Sequence, residues 1–268
     1  MGAIRITADR GNSSLKLVVW DDARIVARGR FETVARGELV RWWRETYRAL
    51  GPTEGRSLSE LEFVALASVA GPDATSAAAV ALAEAFELEP GGVRLHPDPG
   101  VSNLCQSPET VGLDRLYAAR GAAELEPDGC VVLDAGTALT VDAVRTSEGR
   151  IEFLGGAIAA GPGLLARALA DGGAQLFEVD PAPPVPALGR DTRAALESGV
   201  VHGFRGAAAE LSRRIGLESG LATTTRVLTG GAAEWLLEPE PFWSGACRHA
   251  PDLVQRGLLV AASEAAGT

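Results

Sequence analysis

One pattern occurs twice in this chain and limits what it can fold into more than any other feature. Residues 4–18 read IRITADRGNSSLKLV, and residues 129–144 read GCVVLDAGTALTVDAV. Each is a β-rich run, an Asp-x-Gly followed by Asn or Thr, and a second β-rich run. A single Asp-x-Gly between alternating residues signals a hairpin. Two copies about half a chain apart signal a duplicated domain rather than one continuous sheet. At 268 residues the chain is long enough for two modest domains without disulfide staples. The division expected is 1–118 and 119–268.

Periodicity fills in the rest as an α/β alternation. Leu39, Trp42, Trp43, Tyr47 and Leu50 recur at helical spacing and predict a helix over 36–49. The Trp pair is expected on its buried face rather than as a platform for bases. Residues 63–69 read as a buried strand and 74–86 as an alanine-rich helix. The Gly-, Pro-, Asp- and Ser-rich stretch 90–108 reads as a long surface loop. It leads into a helix over 114–125, and strands follow at 130–133 and 139–145. Residues 155–161 (GGAIAAG) read as a glycine-dense turn into a helix over 164–169, and 180–186 (DPAPPVP) as an exposed, stiff loop. Helices are expected over 192–215, a strand over 225–229, and a last helix over 251–265.

The chemistry sits in the turns. In Asp9-Arg10-Gly11-Asn12-Ser13, a glycine admits close backbone approach and turn N–H groups can face phosphate oxygens. Asp9 offers a hard oxygen for a magnesium-bound water, and Lys16 a point charge for phosphate. Asp134-Ala135-Gly136-Thr137 repeats this logic with a Thr hydroxyl. At Thr229-Gly230-Gly231 a strand is expected to end and a helix to start at once, a junction suited to a nucleotide. Each turn alone is equally a plain structural turn; the three together fit an ATP cleft between related domains. Gly112-Leu113-Asp114-Arg115 opens a helix with an adjacent carboxylate and guanidinium. Phosphoryl transfer to a hydroxyl calls for both, although helix capping explains them locally.

Composition removes other classes. The formal net charge of −10 disfavours a nucleic-acid partner, which requires clustered Lys and Arg. Cys105, Cys130 and Cys247 form no CxxC pair, and His96, His202 and His249 share no ligand spacing. Reduced thiols and the lack of a long apolar run predict a cytoplasmic protein with no membrane span. There is neither a Gly-x-Ser-x-Gly elbow nor a GxxxxGK[ST] loop.

Taken in order, Asp9-x-Gly-Asn-Ser, Gly112-x-Asp-Arg115, Asp134-x-Gly-Thr137 and Gly155-Gly156-x-Ile158 resemble type III pantothenate kinase. So do Gly189-x-x-Thr192 through Gly199, Thr229-Gly230-Gly231, and His249-x-Pro-Asp-Leu-Val-x-x-Gly-Leu258. That family belongs to the acetate and sugar kinase, Hsp70 and actin superfamily. The resemblance implies two actin-like, ribonuclease H-like α/β domains with a nucleotide cleft between them. It implies ATP contacts from Asp9, Gly11, Asn12, Ser13, Lys16, Thr137 and Gly230. Asp114 becomes the general base for the pantothenate hydroxyl, and Cys105, Gly112, Leu113, Asp114, Arg115 and Thr192 line the acceptor site. Asp134 takes the place of the ligand to a monovalent cation, potassium or ammonium, alongside a divalent cation such as magnesium. The family's members are homodimers, so the same is expected here.

Two positions depart from the family pattern. Cys105 stands where the family commonly has a tyrosine beside pantothenate, and Ala160-Gly161 stands in place of a Pro-Gly. Cys105 bears on acceptor choice and leaves open a kinase for another small hydroxylated acceptor. A non-catalytic nucleotide-binding regulator is the other alternative; the joint presence of Asp9, Asp114, Arg115, Asp134 and Thr137 argues against it.

Overall fold

Alternation along residues 4–21 gives the first hairpin its shape. Ile4, Ile6 and Ala8 face one way from β1 (Ile4–Arg10), and Leu15, Leu17 and Val19 face the same way from β2 (Leu15–Asp21). That apolar face is covered by α1 (Arg36–Ala49) and α2 (Pro72–Ala85), through Leu39, Trp43, Ala78 and Leu82. The opposite face carries Val18 and Trp20, packed against Tyr117 of α3 (Leu113–Leu125) and Leu258 of α7 (Leu253–Ala265). A sheet with helices on both faces results. The computed structural model describes residues 3–49, 61–237 and 245–265. Leu50, counted in the helical pattern above, lies outside them.

Two compact units emerge, and neither is continuous in sequence. The first comprises the described residues within Met1–Gly100, Thr110–Gly121 and Val254–Thr268; the second those within Val101–Glu109 and Ala122–Leu253. The expected boundary between residues 118 and 119 falls inside α3.

In the first unit, β3 (Arg24–Phe31) extends the hairpin into an antiparallel meander. Then β4 (Leu61–Ser68) lies parallel to β1, and β5 (Val93–Leu95) parallel to β4, giving the order β3-β2-β1-β4-β5. The second unit repeats the plan. Its meander is β7 (Cys130–Ala135), β8 (Ala138–Ser147) and β9 (Arg150–Ala160). Parallel to β7 runs β10 (Arg226–Thr229), and parallel to β10 runs β11 (Cys247–His249). The order is β11-β10-β7-β8-β9-β6, with β6 (Val101–Asn103) added beside β9. Stripped of β6, both sheets read third, second, first, fourth, fifth, so the echo in the sequence is an echo in topology. One face of the second sheet packs Val131, Leu133 and Val141 against Phe204 of α5 (Thr192–Ser219).

Several readings need correction. Residues 90–108 are not one structureless loop: they hold β5 and β6 and run into a single 3-10 turn at Pro108–Thr110. Residues 155–160 are not a turn but the second half of β9, which leads into α4 (Pro162–Gly172). Glycine is needed there because chain meets chain: a Cβ on Gly156 would overlap the Val141 carbonyl and Asp142, and one on Gly161 the carbonyls of Gly136 and Thr137. Nor does a helix start directly after Thr229. Residues 230–233 turn first, and α6 (Glu234–Leu237) follows. Its four residues form too short a helix to offer the expected N-terminal dipole.

Candidate active site

The first Asp-x-Gly turn lies where β1 passes into β2. Asp9 pairs with Lys16 across the ladder, and alternation puts both on the sheet face covered by α3 and α7. Lys16 Nζ stands 3.8 Å from Asp9 Oδ2. Asp9 is 8% exposed, and burial pushes its carboxyl above the usual carboxylate range; Lys16 offsets part of that rise and the charge of Asp114 adds to it. Gly11 N–H donates to the Ser14 carbonyl at 3.0 Å, which closes the turn and leaves Asn12 and Ser13 exposed. A Cβ on Gly11 would come no nearer than 3.7 Å to other protein atoms. Nothing among the described residues demands glycine there, which leaves room for a ligand to approach the backbone.

Asp114 belongs to this same unit. It sits in the first turn of α3, where the helix dipole favours a carboxylate, and its Oδ1 accepts the Arg115 N–H at 2.8 Å. Gly112 begins the turn: its carbonyl accepts from Arg115 N–H at 3.1 Å, and a Cβ there would lie 2.5 Å from Asp114 Oδ1. Glycine at 112 therefore keeps the Asp114 carboxylate in place. Leu113, Asp114 and Arg115 are all half-buried. Thus Asp9, Lys16 and Asp114, drawn from three elements, are near neighbours.

The second Asp-x-Gly turn, in the other unit, joins β7 to β8. Asp134 pairs with Thr140 on one side and Thr229 on the other. Gly230, at φ +89°, lies against it: an added Cβ would strike Asp134 Oδ1 and come within 2.5 Å of the Ala135 carbonyl oxygen. The turn is fastened by Ala232 N–H to the Ala135 carbonyl at 2.9 Å and by Gly161 N–H to the Thr137 carbonyl at 3.1 Å. Thr137 itself is exposed. A half-buried carboxylate beside a backbone carbonyl is an oxygen-only donor set, which suits a hard cation. No cluster of three or more His, Cys, Asp or Glu suited to a metal occurs among the described residues, so any ion here relies on carbonyl, hydroxyl or phosphate oxygens as well. Register also puts Asp142, 2% exposed, on the same sheet face as Asp134.

The residues expected to line the acceptor site divide between the units. Cys105 belongs to the second, where its N–H donates to Asn103 Oδ1 at 3.1 Å and its Sγ lies 3.6 Å from where a Cβ on Gly155 would be. Thr192 opens α5 and is exposed, with Asp191 capping the helix by accepting from Ala194 N–H at 2.8 Å. Gly112 to Arg115 lie in the first unit.

Similarity to known proteins now bears on this geometry. The family model described as type III pantothenate kinase matches residues 5–214. A type III pantothenate kinase of Dehalococcoides mccartyi is 31% identical over 255 residues, 95% of each chain. One from Thermus thermophilus is 40% identical over 164 residues, 60% of this chain and 62% of its own. Among solved structures, the activator of the 2-hydroxyisocaproyl-CoA dehydratase from Clostridium difficile, with bound ADPNP, covers 98% of this chain and 96% of its own. Its TM-score is 0.53 at 13% identity, a likeness of fold alone. The fold is of the duplicated actin-like α/β type. With a match that runs from β1 into α5 and a relative aligned along nearly its whole length, the chain belongs to the type III pantothenate kinase family.

Proposed function

We propose that this protein transfers the terminal phosphoryl group of ATP to the hydroxyl of pantothenate, giving 4'-phosphopantothenate, the first step of coenzyme A biosynthesis. Membership of the family supports the reaction. The observation that carries the assignment of roles is the meeting of Asp9, Lys16 and Asp114 in one unit.

In this reading Asp114 accepts the hydroxyl proton as the hydroxyl oxygen bonds to the γ-phosphorus. The bond from that phosphorus to the β,γ-bridging oxygen breaks, and ADP leaves. Lys16, Asn12 and Ser13 hold phosphate oxygens, with Thr137 of the second turn and Gly230, which lies against that turn. Asp9 would hold a divalent cation such as magnesium through its carboxylate oxygen, and Asp134 potassium or ammonium. Such cations supply positive charge beside the phosphates, which a chain of net charge −10 is poor in. Gly112, Leu113, Arg115, Thr192 and Cys105 border the acceptor.

A homodimer is part of the proposal. Ile158 of β9 is 66% exposed, and Leu164 and Leu169 of the adjoining α4 are exposed too, apolar surface that a second copy would cover. A cytoplasmic location is also part of it, supported by three cysteines that form no disulfide. The test is ADP release with pantothenate against a panel of other small alcohols, with and without potassium. Turnover on pantothenate that rises with potassium is expected; turnover confined to another acceptor would refute the assignment.

A further inference from the structure

The last helix carries a polar residue that catalysis by Asp114 does not use. Gln255, in the first turn of α7, is 4% exposed, on a helix whose Leu258 and Leu259 pack with Val18, Trp20 and Tyr117. Its Nε2 donates to the backbone carbonyl of Lys16 at 3.0 Å. That contact fixes the amide's orientation, since only the nitrogen can bond a carbonyl oxygen. Its Oε1 is buried and has no hydrogen-bond partner among the described residues.

An amide with an unsatisfied buried oxygen costs free energy that a methionine or leucine of similar volume would not. The bond to Lys16 is what the polar group provides. Alternation gives this bond its place: Leu15, Leu17 and Val19 pack toward α1 and α2, whereas Val18 and Trp20 pack against Leu258 of α7. Lys16 is therefore on the face that α7 covers, directly across from Asp9 and 3.8 Å from its carboxylate.

We infer that Gln255 is a positioning residue for the nucleotide site, acting through Lys16. Anchored to α7, the Lys16 backbone presents its long, flexible side chain from a fixed origin, so less freedom is lost when the ammonium engages a phosphate. This rests on the kinase reading above. It concerns ATP affinity and leaves the proton-accepting role of Asp114 untouched.

The test is a double-mutant cycle on the full chain, with magnesium–ATP binding measured by calorimetry. The four proteins are the wild type, Gln255→Met, Lys16→Met and the double variant. Loss of one hydrogen bond's effect should weaken ATP binding by about three- to tenfold in Gln255→Met. The same change should have no further effect once Lys16 is Met. The melting midpoint without nucleotide should shift far less than affinity does. Should Gln255→Met fail to fold, Gln255→Leu takes its place, because leucine also lacks a donor and suits the apolar surroundings. Unchanged ATP affinity overturns the inference, as does an equal loss in the Lys16→Met background or a lowered melting midpoint as the only effect. A wild-type chain that binds no ATP removes the kinase reading and the inference with it. Wild-type binding alongside an unaffected Gln255 variant removes the inference alone.

Discussion

Gly230 rests against Asp134, so close that a single added methyl would collide with the carboxylate. Its backbone is also left-handed, at φ +89°. Gly230→Ala therefore meets two penalties, the strain of an L-residue in that conformation and the displacement of Asp134. Together they should cost about 1–3 kcal/mol, measured as a lower urea midpoint with unchanged slope. Any dependence of turnover on potassium should weaken in the same protein. Full stability in Gly230→Ala would show that the turn relaxes freely.

A second expectation concerns the support beneath Asp114. Tyr117, fully buried one turn further along α3, donates its hydroxyl to the Pro97 carbonyl at 2.5 Å. Tyr117→Phe strands that carbonyl and should cost about 1–2 kcal/mol. Burial, with the Asp98 charge adding, raises the Tyr117 hydroxyl above its ordinary value of 10.0. The sign follows from proton counting. Above pH 10 the unfolded chain loses this proton while the folded chain keeps it, so the contribution is complete below pH 10 and is lost as pH rises beyond it. Wild type should thus lose stability between pH 10 and 11 faster than Tyr117→Phe, as followed by denaturant titration.

The helix on the other side of Tyr117 leads to a third. A Cβ on Gly257 of α7 would overlap the Tyr117 carbonyl and approach Gly121 N at 2.9 Å. The two helices cross at this glycine with no room for a side chain. Gly257→Ala should force α7 away from α3 and lower stability by about 3 kcal/mol, well beyond the usual cost of a surface change. Thermal unfolding would measure it.

Thiol chemistry gives a fourth. Cys130 is fully buried at the start of β7, and burial, with Glu126 adding, pushes its thiol up to about 12. Cys105 and Cys247 are partly exposed. A disulfide reagent at pH 8 should therefore titrate two thiols in the native protein and a third only on unfolding. Three thiols reacting at one rate would contradict this placement.

Much of this was legible in the sequence, for identifiable reasons. The hairpins at Asp9 and Asp134 announced themselves because alternation and an Asp-x-Gly turn are both local signals. So did α1, whose Trp43 is buried against Phe86 at a ring separation of 5.0 Å. The strands β5, β6 and β11 have three residues each, too few for a period of two to register, and they exist because a neighbouring strand is there to pair with. Residues of β3 such as Arg24, Arg28 and Arg30 gave it a polar character that disguised a strand. In β9 the pair Gly155-Gly156 imitated a turn, although Gly156 is there to let β8 lie close. Among the candidate site residues, the acidic and glycine positions stand in local motifs that a sequence displays. Gln255 does not, because its link to Lys16 spans most of the chain and no local pattern encodes it.

The central claim is that Asp114 takes the proton from the acceptor hydroxyl beside the Asp9–Lys16 pair. Asp114→Asn keeps the side chain's shape and its acceptor for the Arg115 N–H while removing the base. Steady-state ADP release with saturating pantothenate and ATP should fall by about 10²- to 10⁴-fold, with ATP affinity close to that of the wild type. Turnover by Asp114→Asn at the wild-type rate would contradict the account.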